Sequence, residues 1–229
     1  MAEQLELLNS ESHRDVRMRL GGIDPHPHFV MVVPEEFAAA AAVCPIFFAK
    51  SADTGEFYAA ALLGFQPGEL LVEVTAQGQP VFQPLEMQRQ GFFTAEADIA
   101  IDLGHPRFGA GASVALFEDD GTPSNAMRKV QRALGELVRG VEASRALVRE
   151  LMRLKLIEPI DIALQFDDGQ RLTLDGLYTV SRDALAELDD AEVLALFRSG
   201  QLQAALCVSG SLSQVPLLAR RRNERLTAA

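Results

Sequence analysis

Two histidines flank a proline in His26-Pro27-His28, the one histidine cluster in this chain. On an extended chain, side chains two residues apart point to the same side, so with a third ligand this pair could bind a metal ion. Asp102 is the carboxylate that we consider as a further ligand. A proline-stiffened surface loop explains the same residues, and we therefore expect no bound metal and no cofactor.

Three other motifs resemble functional sequences but lack essential parts. Residues 104–109 have the outer glycine spacing of a phosphate loop without the following Lys-Ser/Thr. The acidic segments 119–121 and 167–169 lack the spaced carboxylates and closing Glu of a calcium loop, and favour turns. Ser209 lacks the preceding glycine of a nucleophile elbow. We therefore assign no catalytic residue and favour a protein that is not an enzyme.

Tyr178 follows an irregular Asp175-Gly176 step. Near this step, apolar residues occupy both faces of the predicted strand: Leu172, Leu174, Leu177 and Val180. Strict alternation does not allow this pattern, so the glycine indicates a β-bulge or a close backbone approach. We predict that the strand packs on a long helix and presents Tyr178 at the edge of a cleft, with Asp175 and Gly176, to a ligand or partner. The alternative is a core tyrosine whose hydroxyl bonds to nearby backbone.

The long helix is predicted from Ser124 to Ile157, with Thr122 or Ser124 as its N-cap. Its apolar residues recur at steps of three and four: Met127, Val130, Leu134, Leu137, Val141, Val148 and Leu151. The helix holds eight basic and three acidic residues, whereas the chain outside it and the Arg220–Arg225 tail holds 9 basic and 28 acidic residues. We expect the apolar stripe to face a core. We expect the tail to be solvated, or to dock on an acidic partner or on the protein's own acidic surface.

The other elements predict an α+β fold, with a β-rich N-terminal half before the long helix and a further β-hairpin and helices after it. Strands are expected at residues 28–33, 45–49, 56–63, 70–75, 92–103 (one or two strands), 160–166 and 171–180. Residues 45–49 and 56–63 are expected to pair as a hairpin, and so are residues 160–166 and 171–180. Helices are expected after Pro34, after Ser181, after Asp189 or Asp190, and from Gln201, and Gly200 is expected to end the third of these helices. We predict a flexible arm at residues 1–20 and a single domain at 21–229, β-rich over 28–121 and helix-rich over 122–229.

Composition limits the partners. The net charge of −11 argues against nucleic acid and anionic lipid, which are polyanions. The longest nearly apolar run, Phe37–Ala49, has thirteen residues, fewer than the roughly twenty that cross a bilayer, so we expect no membrane insertion.

Residues 1–20 lack the apolar core of a secretory signal. Cys44 and Cys207, distant and in apolar surroundings, are typical of reduced core thiols. We expect a cytoplasmic protein.

A series of short motifs resembles the SapC family of bacterial proteins. The motifs lie between Phe29 and Leu218 and include Val33–Phe37, Pro45–Lys50, Leu116–Pro123, Leu174–Tyr178 and Leu196–Leu202. Their order and spacing carry the resemblance. The segment 81–93 departs from the family, because similar proteins have a Trp, a Tyr-Val-Pro and an Arg-Arg-Tyr-Pro-Phe block there. If that block forms a partner or ligand surface in the family, we expect this protein to differ in its specificity for that partner or ligand.

The resemblance implies an accessory role without a settled biochemical activity. The family name comes from a surface-layer gene cluster, and members are sometimes labelled peptide-transport permeases, which the hydropathy of this chain contradicts. The resemblance also implies an association, because family members are often neighbours of flavin-dependent tryptophan-halogenase-like enzymes, cupin-like oxygenases and TonB-dependent receptors.

We therefore expect a soluble, non-enzymatic binding or accessory protein. It would recognise a peptide, protein or small metabolite handled by a neighbouring modification enzyme or transport system. One alternative is a metal- or flavin-dependent enzyme that modifies peptides or amino acids, or the obligate subunit of such an enzyme. Another is a structural homodimer that uses the long helix.

Overall fold

The computed structural model describes residues 5–20, 26–72, 75–76, 79–80 and 82–228. They form the predicted α+β fold, with about 40% helix and 24% strand. In chain order the elements are β1 (Leu5–Leu7), β2 (Arg17–Met18), β3 (Phe29–Met31), α1 (Phe37–Ala41), β4 (Ile46–Lys50), β5 (Phe57–Leu62), β6 (Thr75–Ala76), β7 (Gln79–Pro80), α2 (Leu85–Gln88), β8 (Phe92–Ala95), β9 (Asp98–Asp102), β10 (Val114–Ala115), α3 (Asn125–Arg153), β11 (Ile157–Gln165), β12 (Arg171–Val180), α4 (Arg182–Ala186), α5 (Asp190–Arg198), α6 (Gln201–Ser211) and α7 (Gln214–Ala228).

Contacts along the chain divide it into two compact units. The first contains the described residues of Met1–His26 together with Gln83–Arg139, and the second those of Pro27–Phe82 together with Gly140–Ala229. Helix α3 therefore contributes its first part to one unit and its last part to the other. The predicted boundary at residue 20 is not a boundary of either unit, and the single domain at 21–229 stays a prediction.

The first unit contains an antiparallel sheet in the order β1-β9-β8 and the antiparallel pair β10-β2. Its core is formed by Met18, Phe92, Ile101, Leu116, Met127, Val130 and Leu134. Strand β1 pairs with β9, with Leu5 opposite Asp102, and Met18 in β2 is fully buried. Residues 5–7 and 17–18 therefore form short strands, although the side chains of β1 are exposed, and the flexible arm at residues 1–20 stays a prediction. These strands have two or three residues, too few for an alternating pattern to reveal them.

The second unit contains a five-stranded antiparallel sheet in the order β11-β12-β4-β5-β3. The β4–β5 and β11–β12 hairpins confirm the prediction. Pro34 opens a 3-10 turn that leads into α1, because its missing N–H needs no partner there. Helix α6 contacts β4 through Ser211, whose hydroxyl accepts a hydrogen bond from the Ile46 N–H at 2.8 Å and donates one to the Val208 carbonyl at 2.7 Å.

The prediction of a strand at residues 70–75 is wrong for residues 70–72, which form a loop. Leu71 donates its N–H to the Leu63 carbonyl, and the Glu69 carboxylate accepts the Phe65 N–H at 2.7 Å. A Cβ on Gly64 would lie 2.1 Å from the Glu69 carbonyl oxygen, so the chain folds back closely over this glycine. Leu71 is therefore buried in a loop, and Thr75 belongs to the two-residue strand β6. Residues 73–74 lie outside the described residues.

Helix α3 confirms the predicted stripe. Of the seven apolar residues in this stripe, six are buried and Val141 is half-buried. The Ser124 hydroxyl accepts the Met127 N–H at 3.2 Å, which confirms Ser124 as a cap. The helix ends at Arg153, earlier than predicted, because Lys155 adopts a left-handed conformation with φ of 56°.

The C-terminal helices begin where the caps predict. Ser181 and Asp189 accept N–H groups from the first turns of α4 and α5, and Gly200 ends α5 with φ of 77°. The helix expected from Gln201 is broken into α6 and α7. By length and composition alone, Gln201–Thr227 is one segment that could cross a membrane, and 33% of its apolar window is buried. One such segment is weak evidence, so the absence of membrane insertion stays a prediction.

Candidate functional site

A cleft of about 490 Å³ lies in the second unit, between the β4–β5 hairpin and the last turns of α3. Its lining residues come from two stretches of sequence: Lys50, Gly55, Glu56, Phe57, Arg145, Val148, Arg149 and Met152. Its volume is within the range of small-ligand and peptide pockets.

Helix geometry explains one wall of the cleft. Arg145, Val148, Arg149 and Met152 follow the spacing i, i+3, i+4 and i+7, which places them on one face of α3. Val148 is 7% exposed and belongs to the core, whereas Met152 is 53% exposed. The wall therefore offers an apolar surface between two guanidinium groups.

Strand pairing explains the opposite wall. Lys50 lies directly opposite Phe57 in the β4–β5 hairpin, and Tyr178 of β12 lies opposite Phe48, two residues before Lys50. Residues two apart in a strand share a face, so Lys50, Phe57 and Tyr178 meet on one face of the sheet. The two rings pack edge to face at 4.8 Å, and the Lys50 Nζ lies 5.1 Å from the Phe57 centroid and 5.3 Å from that of Tyr178. Both rings therefore hold the ammonium group through cation–π contacts.

The cleft carries more positive than negative charge. Lys50, Arg145 and Arg149 are cationic, and Glu56 is the anionic residue in the lining. Arg145 pairs with Glu142 at 2.6 Å and lies 4.0 Å from Glu56. These residues are more than half exposed, and such surface pairs contribute little stability. Arg149 makes no hydrogen bond or ion pair with any residue that the structure describes, so its guanidinium is available to an anion.

The predicted site residues lie beside this cleft. The bulge predicted from Gly176 is confirmed: its φ is 72°, and the register of the hairpin shifts between Ile160 and Ile162. Tyr178 is half-buried and packs behind Phe57 instead of lining the cleft, while Asp175 and Gly176 are exposed. The Tyr178 hydroxyl makes no hydrogen bond within the described part of the chain. A contact of any of the three with a ligand stays a prediction.

Sequence reasoning missed Lys50, Phe57, Arg145 and Arg149. The excess of basic residues on α3 was the available signal. It could not select Arg149 among eight basic residues, because the hairpin that faces it is distant in sequence.

The histidine pair is not joined by further ligands. Within the described ranges, no group of three or more His, Cys, Asp or Glu side chains could hold a metal ion. The His28 carbonyl accepts the Leu63 N–H at 2.7 Å, and Asp102 accepts the Gly104 N–H at 3.0 Å. The structure therefore gives no support to metal binding by His26 and His28. That the protein binds no metal stays a prediction.

The other motifs serve local structure. Asp120 accepts the Thr122 N–H and hydroxyl, and these hydrogen bonds lower the pKa of its carboxyl group. Asp168 accepts the Gln170 N–H at 2.9 Å, so both acidic segments form turns. In the glycine-flanked loop, buried Arg107 donates to the carbonyls of residues 88 and 90, and burial lowers its pKa to about 10. That cation is therefore committed to the fold.

The basic tail docks on the protein itself. Arg221 donates to the Leu71 carbonyl at 3.0 Å. Arg222 is 7% exposed, lies 4.2 Å above the Phe166 ring and donates to the Gln170 amide oxygen at 2.8 Å. Its guanidinium also lies 3.7 Å from Glu69. These contacts hold α7 against the hairpin and the loop after β5.

The SapC family model matches residues 8–218, which include both walls of the cleft. The chain belongs to the SapC family. The match covers most of the sequence and confirms the resemblance seen in the short motifs. No curated protein and no solved structure matched this SapC chain.

Proposed function

We propose that this SapC protein is a non-enzymatic binding or accessory protein, and that the cleft between the β4–β5 hairpin and α3 is its recognition site. It would bind a peptide, protein or small metabolite that a neighbouring modification enzyme or transport system handles in the cytoplasm. The observation that carries the proposal is Arg149, whose guanidinium has no partner in the described part of the chain and lies beside an apolar and aromatic surface. Convergent polar groups in a mostly apolar concavity are typical of recognition sites.

The enzyme alternative has less support. His105 lies beside Asp102, and burial lowers its pKa. However, its Nδ1 accepts the Arg107 N–H at 3.2 Å, and Asp102 accepts the Gly104 N–H. Both side chains therefore maintain the loop through these hydrogen bonds.

The homodimer alternative also has less support. The apolar stripe of α3 is buried within the protein and cannot pair with a second copy. Val138 and Met152 are the large apolar residues of α3 that are more than half exposed among the described residues. They lie fourteen positions apart and form no continuous seam.

Affinity capture from extracts of the native host tests the proposal. Tagged wild-type protein is compared with Arg149→Glu and with the matched control Arg139→Glu, which makes the same charge change at an exposed position of α3 outside the cleft. We expect wild-type and Arg139→Glu protein to retain the same protein or metabolite, identified by mass spectrometry, and Arg149→Glu to lose it. Equal retention by all three would show that the cleft is not the recognition site.

A further inference from the structure

The charge of the cleft selects an anionic ligand. The whole chain carries a net charge of −11, yet three cations converge on this cleft. A cationic ligand would be repelled by Lys50 and Arg149. A long polyanion such as nucleic acid would be repelled by the acidic remainder of the protein. A short ligand with a few carboxylates avoids both penalties.

The positions of the cations indicate an extended ligand. Arg149 lies on the helix wall, and Lys50 on the hairpin wall, held by Phe57 and Tyr178. Along α3, the lining extends from Arg145 to Met152, seven residue steps of 1.5 Å or about 10 Å. Two carboxylates spaced along a short chain can meet the two walls.

The surface between the cations is apolar. Phe57, Val148 and Met152 lie in the same lining as the charged groups. Methionine adapts to different apolar shapes, and an aromatic ring offers a rigid contact. This surface fits an apolar side chain that stands between two carboxylates.

We propose that the cleft binds a short acidic peptide segment in which an apolar side chain separates two carboxylates. One carboxylate pairs with Arg149 and the other with Lys50, while the apolar side chain contacts Phe57 and Met152. This inference rests on the proposed function and specifies its ligand class.

Fluorescence anisotropy with labelled synthetic pentapeptides tests the inference. The probe is Asp-Phe-Glu-Leu-Asp, and its comparisons are Lys-Phe-Lys-Leu-Lys and Asp-Gly-Glu-Gly-Asp. We expect saturable binding of the probe that weakens as NaCl rises, and at least tenfold weaker binding of both comparison peptides. Tenfold corresponds to about 1.4 kcal/mol. Equal binding of either comparison peptide would overturn the inference.

Variants of the protein locate the site. Arg149→Glu should weaken probe binding at least tenfold, whereas the matched control Arg139→Glu should change it less than twofold. Lys50→Glu, on the opposite wall, is a second variant that keeps the test valid if Arg149→Glu does not fold. Unchanged binding by a folded cleft variant would refute the site.

Two further results separate this inference from the proposed function. If 3-phenylpropanoate displaces the probe at the same concentration as unlabelled peptide, the cleft takes a small carboxylate and the peptide inference fails. If no pentapeptide binds but Arg149→Glu still loses the partner captured from extracts, the inference fails and the proposed function stands.

Discussion

Replacing Gly140 by alanine should destabilise the protein, whereas the same replacement at Gly135 should stabilise it. Both glycines lie within α3. A Cβ on Gly140 would lie 2.5 Å from the Cβ of Val33, and 2.6 and 2.8 Å from its two Cγ atoms. A Cβ on Gly135 would have as its nearest neighbour a guanidinium nitrogen of Arg139, at 3.7 Å.

The magnitudes follow from these distances. Alanine stabilises a helix interior by about 0.5–1 kcal/mol relative to glycine, and nothing opposes this gain at Gly135. At Gly140 the new contacts are about 1 Å shorter than the ordinary separation of ~3.5–4.0 Å. Val33 is 1% exposed and branched at Cβ, so it cannot rotate away. Overpacking costs about 1–3 kcal/mol, and the upper part of that range leaves a net loss of about 2 kcal/mol.

Thermal unfolding followed by circular dichroism measures both changes. In a chain of this size, 1 kcal/mol shifts the Tm by about 2–4 °C. We therefore expect Gly140→Ala to lower the Tm by about 4–8 °C and Gly135→Ala to raise it by about 1–4 °C. Urea midpoints should change in the same directions. If the Gly140→Ala protein were as stable as the Gly135→Ala protein, the close packing of α3 on Val33 would be refuted.

Three further predictions concern the core, a thiol and the tyrosine. Leu134→Ala and Leu137→Ala, at positions 4% and 5% exposed, should each lower the free energy of unfolding by about 2–5 kcal/mol in urea denaturation, and near-neutral changes would contradict the buried stripe. Burial, with a smaller contribution from Glu36, raises the pKa of the Cys44 thiol to about 12. Because the folded pKa lies above the unfolded value of about 9, the neutral Cys44 thiol makes its full contribution to folding stability below pH 9. That contribution is lost as the pH rises towards 12, where the buried thiol must ionise. At pH 8, mass spectrometry should show iodoacetamide modifying the less buried Cys207 before Cys44, and equal rates would argue against this burial. Tyr178→Phe should leave binding of the acidic pentapeptide within twofold of wild type, because the ring and not the hydroxyl contacts Phe57 and Lys50; a larger loss with unchanged Tm would instead support a ligand contact by the hydroxyl.

Local signals predicted much of the fold. The stripe on α3, the caps Ser124, Ser181 and Asp189 and the turn glycine Gly200 all lie where the sequence predicts. Each of these features depends on residues within a few positions of one another, so local chemistry is sufficient. The irregularity at Gly176 belongs to the same group, since a positive φ favours glycine in any context.

Features that depend on distant partners were mispredicted or missed. Strand β1 has three residues and gains its stability from pairing with β9. Leu71 resembles a strand residue, but Gly64 and Glu69 fold that segment into a loop. A short apolar run does not specify whether it will form a buried strand or a buried loop, because that depends on the elements that pack around it.

The candidate site shows the same division. The sequence by itself determined that α3 is amphipathic and basic, and that β4 and β5 form a hairpin. Tertiary structure decided which basic residues face an aromatic wall, because Lys50 and Arg149 lie almost one hundred positions apart and meet only through packing of the hairpin beside α3. It also decided that Arg222 is committed to Phe166 and Gln170, whereas Arg149 has no hydrogen bond or ion pair among the residues that the structure describes. Residue type fixes the charge of a side chain, but its availability to a ligand depends on the partners that the fold places around it.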